Sequence, residues 1–74
     1  MRSMSSLEVV RAFEKAGFEV VRTKGSHHIM KHPEAKGTLS VPMHRGKDVK
    51  VGTLKGLIRK AGLTADTFGA FADS

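Results

Sequence analysis

The feature that most constrains this chain is the pair Gly25-Ser26, set between Phe18-Glu19-Val20-Val21-Arg22-Thr23-Lys24, rich in β-branched and aromatic types, and the run His27 to His32. Gly tolerates positive φ and a Ser hydroxyl can bond its own backbone, so the pair predicts a tight turn and the flanking runs an antiparallel hairpin. A second turn signal, Pro33-Glu34-Ala35-Lys36-Gly37, separates the hairpin from a third strand, Thr38-Leu39-Ser40-Val41, with Leu39 and Val41 on one side. Pro42 has no N–H to donate and keeps that strand from continuing as a central one.

Helical patterns flank these strands. Ser5 and Glu8 stand at capping-box spacing, Leu7, Val10, Phe13 and Ala16 follow with a helical apolar period, and Gly17 suits a left-handed helix end. After a basic loop, Met43 to Val49, Gly52-Thr53 opens a second helix with Leu54, Leu57, Ile58 and Ala61 as its buried stripe and Lys55, Arg59 and Lys60 opposite. Gly62 stops it; Thr64 caps a short last turn that folds Phe68 and Phe71 back on the core, and residues 72–74 are expected to fray. This predicts an α+β fold in the order α-β-β-β-α, a three-stranded antiparallel sheet with two helices on one face and the other face open. It is the order of double-stranded RNA-binding domains, although a fold does not carry a function with it. No repeat, linker or low-complexity segment divides residues 1–74, which are expected to form a single domain.

A domain of this size buries only about 60% of the surface its unfolded chain exposes, so a partner protein would add needed stability. With no Cys there is neither a disulfide framework nor a thiolate zinc site, a composition suited to a reducing cytoplasm. No apolar run approaches the roughly 20 residues of a membrane span, and Met1 to Ser6 lack a signal-type apolar core, so a soluble, unprocessed protein is expected. The formal charge of +6 favours polyanions, nucleic acid foremost, with an acidic protein as the other candidate. Four Phe with no Tyr or Trp argue against stacking of single-stranded bases, and for recognition of backbone and shape.

Four His residues raise the question of a metal. His28 and His32 would meet on a helix, but along a strand at about 3.3 Å per residue they lie roughly 13 Å apart, and no Cys assists. General-base chemistry suits the composition better. In RNA the ribose 2′-OH can attack the adjacent phosphorus once its proton is removed, so one placed His suffices and neither metal nor cofactor is required. Lys24, Arg45 and Lys47 are candidates to hold the phosphate and stabilise charge on its oxygens. The acid that protonates the leaving 5′ oxygen stays open among His28, His44, a Lys and water. Alternation leaves the faces open too, since Ile29 shares parity with His27, Met30 shares it with His28, and both are apolar. A surface His is commonly just polar, and the cations of the second helix read most simply as a solvated face.

Leu7 to Phe18, Lys24 to Ile29 (KGSHHI), Val41 to Lys47 (VPMHRGK) and Gly52 to Leu63, closing at Phe68, together resemble the HicA-type mRNA interferase toxins of bacterial toxin–antitoxin systems. The order and spacing of these pieces, more than any one of them, carry the resemblance. It implies a fold like a double-stranded RNA-binding domain, metal-independent cleavage of mRNA and neutralisation by a HicB-type antitoxin. It implies also that the His directly after Gly-Ser, His27, is catalytic. Lys24, Ser26, His28, His44, Arg45, Lys47 and Lys50 are the residues expected on the RNA, His28 at a less telling position. His44 matches a second recurring His that supports the site or meets the antitoxin. Met1 to Ser3 extend past the family's usual start.

Overall fold

A computed structural model describes residues 2–74; Met1, the first residue of the segment read as lacking a signal-type core, lies outside them. The elements in order are β1 (Met4–Ser5), α1 (Ser6–Lys15), β2 (Glu19–Lys24), β3 (His27–Lys31), β4 (Leu39–Pro42), β5 (Asp48–Val49), α2 (Val51–Lys60) and α3 (Ala65–Ala72). The fold is α+β. Strands β2-β3-β4 form the antiparallel sheet in that order with helices packed on it, as in double-stranded RNA-binding domains.

The capping box starts α1. Ser5 Oγ accepts the Glu8 amide at 3.2 Å and Glu8 Oε1 accepts the Ser5 amide at 3.0 Å, which satisfies two N–H groups that the helix cannot. The Ser5 amide chiefly, and then Arg2, hold the Glu8 carboxyl below the usual carboxylate range. The buried stripe is Val9, Val10, Ala12 and Phe13, while Leu7, expected in it, is 52% exposed. At about 100° per residue, the step of six positions from Leu7 to Phe13 sets Leu7 about 120° around the helix from Phe13 and the core. Phe13 is the hub, its ring centroid 5.6 Å from Phe18 and 4.9 Å from Phe68.

Gly17 ends α1 at φ +102°, with the His32 ring directly over the place a Cβ would take, 2.7 Å from Nε2. His32, one residue beyond β3, packs edge-on to Phe18 and accepts the Glu34 amide on Nδ1 at 3.0 Å. In β2 a bulge at Val21 shifts the register, so that Val20 pairs Met30 and Arg22 pairs Ile29. Along β3, His28 faces Val41 and Met30 faces Leu39. Met30, Leu39 and Val41 belong to the core, which identifies this as the covered face. The alternate set, Arg22, Lys24, His27, Ile29 and Ser40, lies on the outer face. Ile29 is buried there, between its cross-strand neighbours and apart from the main core.

Three features exceed the sequence expectation. Met4 and Ser5 pair with Val49 and Asp48 in a two-stranded ribbon that buries Met4 and Val49. The segment after Thr64 is a helix of 8 residues packed on α1, where a short turn was expected. Ala72 packs against the core and Lys15 donates to the Ser74 carbonyl, so the tail expected to fray is engaged.

Candidate functional site

Gly25 takes φ +57° and turns the chain so that Lys24 and His27 close the hairpin as partners. Across the sheet His27 faces Pro42, the last residue of β4. One step further the ladder continues outside the strands, as the Met43 amide donates to the Ser26 carbonyl at 2.7 Å. The Gly-Ser turn is thus tied to the start of the basic loop. Met43 turns its side chain to the core, and His44 behind it is exposed.

Ser6 fixes the same loop from the other side. Its side chain is buried, 6% exposed, and Oγ donates to the Pro42 carbonyl at 2.8 Å while accepting the His44 amide at 3.1 Å. The His44 carbonyl accepts the Lys47 amide at 3.2 Å, and Gly46 supplies the positive φ of +75° that the turn needs. The pairing of Asp48 and Val49 with β1 then leads the chain into α2, where Lys50 is the cap residue.

These constraints form a groove of about 560 Å³ lined by His27, Ser40, Pro42, His44, Lys47, Asp48, Val49, Lys50 and Thr53. Of the residues expected from sequence, His27, His44, Lys47 and Lys50 meet there. Ser40, Asp48 and Thr53 were not anticipated, since none stands in a motif and only the folding of the loop over the edge strand brings them in. Lys24 sits beside His27 on the outer face, and Arg22 joins it there without having been singled out. Ser26 enters through its backbone carbonyl. Arg45 lines a neighbouring concavity of about 720 Å³ against Ser5, Ser6, Leu7 and Met43.

His28 departs from the expectation that it would stand with His27 at the RNA. It lies on the covered face with Met30, half-buried, and its Nδ1 is out of solvent without a hydrogen-bond partner. The alternation that presents His27 outward turns His28 inward. Among the described residues no three His, Cys, Asp or Glu side chains gather as a metal site, and no helix is long and apolar enough to cross a membrane. Chemically, the groove offers two imidazoles able to carry protons and two ammonium groups able to hold an anion, against the single carboxylate of Asp48.

The family model described as the HicA toxin of bacterial toxin–antitoxin systems matches residues 7–63 of the 74. The chain belongs to the HicA toxin family. The match spans the Gly-Ser turn, the basic loop and the whole groove of this HicA-family chain, and stops before α3. A search of curated proteins found no match. Ser6, which lies one residue outside the matched segment, had no signature in the sequence beyond its place beside the Ser5 cap. Its role depends on a contact with residues 36 and 38 positions away.

Proposed function

We propose that this HicA-family toxin is a metal-independent endoribonuclease that cuts mRNA in the cytoplasm, with His27 as general base on the ribose 2′-OH. The observation that carries the reading is the shared groove of His27, His44, Lys47 and Lys50, within the segment that the family model matches. His27 removes the 2′ proton, the alkoxide attacks the adjacent phosphorus, and the products are a 2′,3′-cyclic phosphate and a free 5′-OH. Lys47 and Lys50 hold the phosphate, with Lys24 and Arg45 extending the positive surface on either side. Ser26 acts as the turn residue that fixes His27, and His28 supports the strand from the covered face.

Its partner is a HicB-type antitoxin, an acidic protein that covers His27 and the Arg45 to Lys50 loop and adds stability to a small domain. A complex in which both stay exposed while cleavage is blocked would contradict this. Incubating a long RNA with the pure protein in EDTA tests the activity. Cleavage to ends bearing a cyclic phosphate is expected. Retention without cleavage would make the chain a non-catalytic double-stranded RNA-binding module, and neither outcome would leave an adaptor for an acidic protein.

A further inference from the structure

His27 and His44 line one groove. His27 faces Pro42, the Ser26 carbonyl accepts the Met43 amide, and His44 follows in the loop beyond β4, lining the same groove as His27. At about 560 Å³ the groove has room for a phosphodiester with an imidazole on either side. We infer that His44 is the general acid that protonates the 5′ oxygen as it leaves, an assignment that rests on the reading of His27 as base.

Two observations favour His44 over the groove's lysines. Its backbone is held at both polar groups, the amide by buried Ser6 and the carbonyl by the Lys47 amide, so the imidazole is presented from a fixed point. An ammonium is by chemical type a far weaker acid than an imidazolium and the poorer proton donor to a leaving oxygen at neutral pH. His28, the remaining imidazole of the hairpin, is on the other face. The step balances. The 2′-O–P bond forms as His27 accepts the 2′ proton, the P–O5′ bond breaks as the His44 imidazolium donates to O5′, and each ring returns to its starting state by exchange with water.

The test uses the full chain and two substrates, ordinary RNA and RNA whose 5′-bridging oxygen at the cut site is sulfur. A thiolate leaves without needing a proton. His44→Ala and His44→Gln should each cut ordinary RNA about 10²-fold more slowly than the unmodified protein, yet cut the sulfur substrate within about threefold of its rate. His27→Ala should fail on both. Equal loss on both substrates in the His44 variants, or no loss on ordinary RNA, would overturn the assignment and leave His27 as base. If the unmodified protein cuts neither substrate, the ribonuclease reading falls and the acid falls with it.

Discussion

The Ser26 carbonyl accepts the Met43 amide at 2.7 Å, and these are the residues immediately before His27 and His44. One backbone bond therefore ties the chain at both histidines together, and Ser6 fixes the His44 backbone by bonding Pro42 and His44 together. The Gly-Ser turn and the basic loop form one unit, so damage to either should be felt at the groove.

Ser6→Ala tests this coupling. It leaves the His44 amide and the Pro42 carbonyl without their partner, at a cost of about 1–2 kcal/mol in stability. Cleavage should fall by more than the unfolded fraction explains, about tenfold under conditions where the variant is folded. Denaturant unfolding and RNA cleavage, measured on the same preparation, separate the two effects.

Gly17→Ala should destabilise the fold through two independent causes, a backbone at φ +102° and the His32 ring 2.7 Å from the new Cβ. A loss of about 2 kcal/mol or more is expected. Gly37→Ala, at φ +80° with open space around it, should cost less. Thermal unfolding of the two variants checks the ranking.

The capping box makes stability depend on pH. Glu8 is held below its ordinary value by the Ser5 amide first and Arg2 second. A lowered carboxyl contributes fully above its unfolded value and loses that contribution as pH falls through the folded one. Stability should therefore drop on acidification below the ordinary carboxylate range, and Glu8→Gln should show a smaller drop. Urea midpoints across that range measure it.

Much of this was legible in the sequence because short-range rules governed it. The cap at Ser5, the turn at Gly25 and the apolar stripe of Leu54, Leu57 and Ile58 each depend on residues within a few positions of one another. The faces of β3 were not legible, because Ile29 and Met30 are both apolar and only pairing with β4 shows which one joins the core. The Met4–Ser5 and Asp48–Val49 ribbon is too short to carry a period. The groove likewise unites residues 27, 40, 44, 47, 48, 50 and 53, which share a wall only after the loop has folded over the sheet edge.

Salt dependence tests how RNA is held. If about three to five phosphates are met by cations among Lys24, Lys31, Arg45, Lys47, Lys50 and Lys55, the log–log slope of affinity against salt should be about −2 to −5. Lys47→Ala should make it shallower by about 1 and weaken binding to all RNA sequences alike. A slope near zero in filter-binding titrations would contradict the electrostatic account.

The central claim rests on His27, and its most direct test is the cleavage rate of His27→Ala on a long RNA in EDTA, with RNA binding measured in parallel. A half-buried imidazole at a strand end contributes chemistry more than packing, so the rate should fall about 10²-fold or more with binding and fold nearly intact. RNA with hydrogen in place of the 2′-OH at the cut site should bind and stay whole. Cleavage by His27→Ala at the unmodified rate, or cutting of the deoxy substrate, would contradict the mechanism.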